Sequence, residues 1–223
     1  MKKVEVMQND KDGVFIIGDA EIEALRAKDK RLAWAIDRIE RPVRRTNSNV
    51  FSSLIYSVVG QQVSMAAHRT LWARLRAKID DVTPQSIANL AEAEMRRGGL
   101  SQRKVEYIKG IADAFIRGDL SEAALQAMSD EEAIQHLSAL KGIGRWTAEM
   151  LLIFSLQRPD ILSYDDLAIQ RGMRMLYRHR EITKPLFQKY RRRLSPFGSI
   201  ASFYFWAIAG DAIPELTDPK KRR

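Results

Sequence analysis

The sequence predicts an all-α protein, and three observations carry that reading. Apolar residues recur at helical spacing through most of the 223-residue chain, as in Phe51, Leu54, Ile55, Val58 and Val59. Short polar breaks separate those runs, at Gly60–Ser64, Thr83-Pro84, Gly98–Ser101 and Lys141–Gly144. Strand-like residues are confined to the start of the chain. There Val4/Val6 and Val14–Ile17 flank a polar stretch, Gln8–Gly13, that reads as a frayed hairpin or as disorder.

The elements follow in order. Asp19 is a plausible N-cap, with Glu21 and Glu23 in the first turns of a helix. Leu32, Trp34, Ile36 and Ile39 continue helical spacing up to Arg41-Pro42, where proline ends it. Arg41, Arg44 and Arg45 then read as a solvated basic loop before Asn47-Ser48-Asn49. Val50–Leu75 is a pair of helices broken at Gly-Gln-Gln-Val-Ser, residues 60–64. Thr83-Pro84 places proline at a first helical position. Gly98-Gly99-Leu100-Ser101 opens a helix over Gln102–Arg117. Ser129 and Glu132 form a capping-box pattern before the next helix, which ends near Leu140. After Tyr177 the chain is basic, with Arg178, Arg180, Lys189 and Arg191 to Arg193. A last apolar helix, about Ser199–Ala209, carries Phe203, Phe205 and Trp206. Lys220 to Arg223 is a charged tail.

Composition narrows the partners. A net charge of +9 suits a protein whose partner is rich in phosphate, though ribosomal, RNA-binding and membrane-surface proteins share that balance. Cysteine is absent, which removes disulfides, thiol nucleophiles and zinc–thiolate sites. His68, His136 and His179 are scattered without metal-ligand spacing. No apolar run approaches a membrane span and no signal peptide is visible, so an intracellular protein with no membrane partner is expected.

The most informative stretch is Leu137–Tyr177. A helix ends, Lys141-Gly142-Ile143-Gly144 turns, and a second helix starts at once with Trp146 and Met150 one turn apart. Glycine reaches φ > 0 without steric cost and leaves backbone N–H groups bare at the next helix N-terminus, where they and the helix dipole favour an anion such as a phosphodiester. An ordinary αα-corner with a glycine C-cap has the same spacing. Arg145 and the basic balance tilt the reading toward phosphate. Asp165-Asp166 follows at the start of a third helix. One carboxylate can cap that helix while the other faces a cleft, or both can be caps.

Leu-Lys-Gly-Ile-Gly-Arg-Trp-Thr-Ala, residues 140–148, resembles the hairpin of the helix–hairpin–helix DNA glycosylase superfamily, with Lys141 where the family has proline. Trp146-Thr147-Ala148 and Asp165-Asp166 look most like its 3-methyladenine DNA glycosylase II branch. Gly-Leu-Ser-x-x-Lys-x-x-Tyr-Ile, residues 99–108, is a second match. The resemblance spans about residues 30–210. It implies a two-lobed helical fold with a DNA-binding cleft between the lobes. Residues 19–46 plus 163–217 would make the terminal lobe and 47–162 the central lobe, with the hairpin at about 130–156. Residues 1–18 stay unassigned and 218–223 form a basic tail. The β-rich N-terminal domain of some bacterial relatives is not expected.

The resemblance also assigns roles. Asp166 would be catalytic, with Asp165 as cap, supporting residue or alternative. Breaking an N-glycosidic bond passes through an oxocarbenium-like sugar, and a fixed carboxylate lowers that barrier. Strand-nicking members carry a lysine nucleophile where this chain has Trp146, so a monofunctional enzyme is implied. Trp146, Met150 and Trp206 would contact the base; a cationic purine on indole gains roughly 0.5–2 kcal/mol. Gly142, Gly144, Arg145, Thr147, Gln61, Gln62, Ser64, Ser101 and Lys104 would contact DNA. Among them Gln62, then Ser64, fits a plug for the gap left by the extruded nucleotide. Where the family pattern has an arginine this chain has Gly198, and Ala207 replaces a larger residue, which bears on pocket size. No cofactor is expected, and without cysteines the iron–sulfur cluster of some members is ruled out. A cation on hairpin carbonyls near Leu140 and Ile143 is the one metal position the superfamily offers. The expected partner is double-stranded DNA with damaged bases, bound by a monomer. Excision of deaminated or etheno purines, a non-catalytic helix–hairpin–helix module and a basic RNA-binding protein are the alternatives.

Overall fold

The computed structural model describes residues 12–219. Val4, Val6 and most of Gln8–Gly13 lie outside the described residues, as does the Lys220–Arg223 tail. The chain forms two compact units, one comprising the described residues up to Thr46 with those from Gln157 onward, the other Asn47–Leu156. Each is built mainly of helices, as the periodicity predicts.

In the first unit α1 (Asp19–Lys28) and α2 (Lys30–Ile36) are separated by a break at Asp29. Gly18, not Asp19, is the N-cap of α1; Asp19 lies in its first turn and pairs with Arg41. Asp29 is only 4% exposed because it is fully used. Its carboxylate accepts from Arg31 N and Leu32 N, both at 3.0 Å, from the Tyr177 hydroxyl at 3.1 Å and from Arg193 at 2.8 Å. A buried carboxylate is stable only when so satisfied. Burial, then the Asp29 charge, pushes the Tyr177 hydroxyl well above the usual tyrosine range.

The unit continues with α11 (Leu167–Tyr177), α12 (Lys184–Leu194) and α13 (Gly198–Ala209). Leu25, Leu32, Ile169, Met173, Phe203 and Phe205 are fully buried in its core. Helices α11 and α13 pack very closely because position 172 has no side chain. A Cβ on Gly172 would lie 2.2 Å from the Phe205 carbonyl oxygen. Two short strands, β1 (Asp12–Val14) and β2 (Arg45–Asn47), pair in a small sheet. The second strand corrects the reading of that basic stretch as a solvated loop. Its three residues are too few to show a period.

The boundary after Leu156 precedes the expected one after 162, and the reason is specific. Residues 158–161 are bound to the start of α13. Ser199 Oγ donates to Arg158 O at 2.5 Å and accepts from Ile161 N at 3.0 Å. Asp160 accepts from Ser195 Oγ at 2.6 Å and from Gly198 N at 3.0 Å. Gly198 is buried there, and a Cβ would sit 3.0 Å from Asp160 Oδ1 and 3.2 Å from backbone carbons of Asp160 and Ile161. A long side chain at 198 would displace that backbone.

The second unit contains α3 (Val50–Gly60), α4 (Met65–Arg76), α5 (Pro84–Asn89), α6 (Glu92–Arg97), α7 (Gln102–Ile116), α8 (Glu122–Ala127), α9 (Asp130–Ser138) and α10 (Arg145–Phe154). Predicted caps appear at Thr83 and Ser129, each with a reciprocal capping box, and Ser101 caps α7. Leu54, Ile55, Val58, Val59, Val105, Ile108, Leu137 and Leu152 are fully buried. Each such side chain stabilises the unit by about 1.5–3 kcal/mol relative to exposure.

Candidate active site

In the first unit the chain bends at Tyr164-Asp165 and enters α11 through Asp166. Asp166 is itself the N-cap. Its Oδ1 accepts from Ala168 N at 2.9 Å and Ile169 N at 2.8 Å. The expectation that Asp165 caps this helix is therefore corrected: Asp165 is exposed, and the cap falls one residue later, where φ −82° and ψ 109° still belong to the entering chain. Capping and a catalytic role do not compete, because a carboxylate has lone pairs beyond those the two amides use. The same Oδ1 accepts from Trp206 Nε1 at 3.1 Å. These donors hold an aspartate that is 7% exposed. Its orientation is fixed before any substrate arrives. Phe203 lies 5.8 Å from the Trp206 ring, so an aromatic wall adjoins the carboxylate.

The second unit holds the hairpin. Gly142 has φ +89°, and a Cβ there would sit 2.2 Å from Tyr107 Cδ2. The two glycine-containing motifs of the sequence thus meet, the hairpin turn lying on the tyrosine of residues 99–108. Gly144 differs: it is the N-cap of α10, has an ordinary φ of −89°, and a Cβ on it would meet nothing within 4 Å. No side chain caps this helix end. Its first-turn N–H groups point out of the helix past a residue without a side chain. Trp146, in the same turn, is 46% exposed, Thr147 is half-buried, and Met150 is half-buried one turn on.

Three residues expected to meet DNA have partners within the protein. Arg145 binds Glu131 through two bonds, at 2.8 and 2.7 Å, and Glu149 through Nε at 3.0 Å. Those carboxylates, Glu131 first, raise its guanidinium further above the ordinary arginine range. Lys104 donates to the Val59 carbonyl at 2.8 Å, and burial lowers its ammonium. Gln61 Nε2 donates to the Gly142 carbonyl at 2.7 Å. Lys104 and Gln61 turn back to satisfy a helix-end and a hairpin carbonyl far away in the chain, while Arg145 pairs with one carboxylate on its own helix and one on α9. Gln62 is exposed with φ +56°, so the chain presents it outward in the left-handed region. Ser64 and Ser101 are exposed N-caps of α4 and α7.

The histidines bind protein groups: His68 meets Tyr56 O at 3.0 Å, His136 meets Asp119 O at 2.9 Å, and His179 meets Tyr190 Oη at 2.8 Å. Among the described residues no cluster of three or more histidine or acidic side chains could hold a metal ion. At the hairpin, the Leu140 carbonyl accepts from Ile143 N at 3.1 Å, which closes the turn.

The profile of the HhH-GPD superfamily of base excision DNA repair proteins matches residues 55–196. The chain belongs to the HhH-GPD superfamily. The HhH-GPD match contains the Gln61–Ser64 break, the hairpin and Asp166. It begins after Arg44 and ends before Trp206. Among HhH-GPD relatives, the chain is 38% identical over 161 residues to DNA-3-methyladenine glycosylase 1 of Schizosaccharomyces pombe, which covers 70% of this chain and 71% of that protein. A crystal structure of the DNA-3-methyladenine glycosidase of Bacillus halodurans superposes with a TM-score of 0.82 at 32% identity, covering 92% of this chain and 95% of that one. A Schizosaccharomyces pombe 3-methyladenine DNA glycosylase in complex with abasic DNA superposes with a TM-score of 0.71 at 32% identity, covering 84% and 95%.

Proposed function

We propose that this protein is a base-excision-repair DNA glycosylase of the 3-methyladenine type II kind. It extrudes an alkylated purine such as 3-methyladenine or 7-methylguanine from duplex DNA and hydrolyses the N-glycosidic bond. The observation that carries the reading is the Asp166 carboxylate, fixed by two amides and the Trp206 indole. A preorganised anion next to the sugar stabilises the oxocarbenium character of the transition state without reorganising during the reaction. Alkylation on N3 or N7 leaves a cationic base that departs readily, so little general acid is required.

The residue six after Leu140 is Trp146, which has no amine to form a Schiff base, and this supports a monofunctional enzyme that leaves an abasic site. Base contact by Trp146, Met150 and Trp206 follows from the resemblance. Gly142, Gly144 and Thr147 would offer phosphate the uncapped start of α10, and Gln62 would plug the duplex. Arg145 acts as a brace for that helix rather than as a phosphate ligand. The protein is proposed to act as a monomer.

The test is base release from methylated duplex DNA, comparing the intact protein with Asp166→Asn. The expected result is free 3-methyladenine or 7-methylguanine from the intact protein only, with strand breaks appearing only after alkali. Equal release by Asp166→Asn would overturn the assignment of Asp166, and breaks without alkali would overturn the monofunctional reading.

A further inference from the structure

Arg44 is a half-buried cation for which no carboxylate partner exists among the described residues. Arg26, Arg41, Arg145, Arg174 and Arg193 each hold a carboxylate. Arg44 instead reaches only the carbonyl of its neighbour Val43, at 3.4 Å, and places its guanidinium carbon 5.9 Å from the centre of the Phe203 ring. Burial lowers its guanidinium from the ordinary arginine range, and no acidic neighbour opposes that shift.

Its position is held. The Arg44 carbonyl accepts from Phe15 N at 2.8 Å, and the Phe15 ring meets Phe203 edge-on at 4.9 Å. Phe203 in turn lies 5.8 Å from Trp206, whose indole N–H binds Asp166. One aromatic wall, within one unit of the fold, therefore joins the unpaired cation to the candidate catalytic carboxylate. Partly desolvating a cation without a counter-ion is unfavourable in the free protein. An arriving anion removes that cost.

We propose that Arg44 is a DNA-phosphate receptor, binding a phosphodiester oxyanion of the strand whose sugar is presented to Asp166. The inference rests on the glycosylase reading of Asp166. A phosphate is favoured over the base as its ligand because an alkylated purine is itself cationic and would be repelled. Arginine suits the role, since its planar fork matches phosphate oxygens and keeps its charge.

The experiment measures binding of the full chain to a duplex containing a tetrahydrofuran abasic site, between about 50 and 200 mM salt. The intact protein is compared with Arg44→Met and Arg44→Lys, and thermal midpoints are taken in parallel. Arg44→Met should bind roughly tenfold more weakly at low salt. Its log–log salt slope should be shallower by about 0.9, one phosphate contact. Its midpoint should be equal or higher, because a half-buried charge without a carboxylate partner has gone. Arg44→Lys should restore most of the slope. An unchanged slope with a lowered midpoint would make Arg44 a structural residue and overturn the proposal. Intact abasic binding with altered base release would move its contact to the base, which also overturns it. Failure of the reading beneath it has separate signatures, whatever the Arg44 slope: no base release from the intact protein would overturn the glycosylase reading, and undiminished release by Asp166→Asn the role of Asp166.

Discussion

The indole N–H of Trp206 donates to Oδ1 of Asp166 at 3.1 Å, joining the last helix to the N-cap of α11. A hydrogen bond to a charged acceptor stabilises by about 1.5–3 kcal/mol. Trp206→Phe keeps an aromatic ring and removes only the donor. We expect kcat on methylated DNA to fall roughly tenfold, with a smaller change in KM. A change confined to KM, measured by single-turnover kinetics, would mean that Trp206 acts by stacking alone.

That hydrogen bond depends on the close crossing at Gly172. A methyl group there would meet the Phe205 carbonyl at 2.2 Å, so α11 and α13 must separate. Gly172→Ala should destabilise the protein by about 1–3 kcal/mol, as overpacking does, and lower base release as well. Denaturant unfolding would check the first effect. Native stability in Gly172→Ala would show that the crossing relaxes without cost.

The two hairpin glycines should respond in opposite ways. Gly142→Ala must adopt φ +89° and displace the Tyr107 ring, so a lowered thermal midpoint is expected. Gly144→Ala meets nothing within 4 Å at an ordinary φ, so its midpoint should be unchanged. Its methyl would instead stand where a phosphodiester is proposed to approach the α10 amides, and affinity for abasic duplex should fall. Undiminished affinity in Gly144→Ala would count against phosphate binding at this helix end.

Lys104 and Gln62 separate scaffold from contact. Lys104→Met removes the tie to the Val59 carbonyl and should lower the midpoint while leaving the salt slope of DNA binding unaltered. Gln62→Gly relaxes a left-handed backbone at φ +56°, worth about 1 kcal/mol. It should raise the midpoint and weaken binding to abasic duplex. Should Lys104→Met flatten the salt slope, the lysine contacts phosphate after all.

His68 should make the protein acid-sensitive. It is 8% exposed, with its ring where a Cβ on Gly60 would be and Nε2 on the Tyr56 carbonyl. Burial first, with the Lys104 charge also contributing, lowers its folded-state value, while the Tyr56 bond opposes that shift. A histidine depressed on folding binds fewer protons folded than unfolded. Its stabilising contribution is therefore whole above the unfolded value of about 6.5 and is lost as pH falls below it, until the lower folded value is reached. Unfolding midpoints for the intact protein and His68→Gln across this window would test it; parallel curves would sink the idea.

Much of this molecule is legible in its sequence. Helical periodicity, Thr83, Ser101 and Ser129 as caps, the reversal at Lys141–Gly144 and a carboxylate opening the next helix all follow from residues a few positions apart. Local turn and capping chemistry operates at that range, so a sequence states it directly. Tertiary structure decided what depends on residues far apart in the chain. Trp206 reaches Asp166 across 40 positions, Lys104 reaches Val59 across 45, and Gln61 reaches Gly142 across 81. Asp166 rather than Asp165 is the cap because the chain enters α11 one residue later than either aspartate could reveal. Arg44 and Arg45 are adjacent and chemically identical, yet only the packing of Phe15 and Phe203 leaves Arg44 half-buried beside the aromatic wall. Charge type is a property of the residue, whereas pairing and burial are properties of the fold.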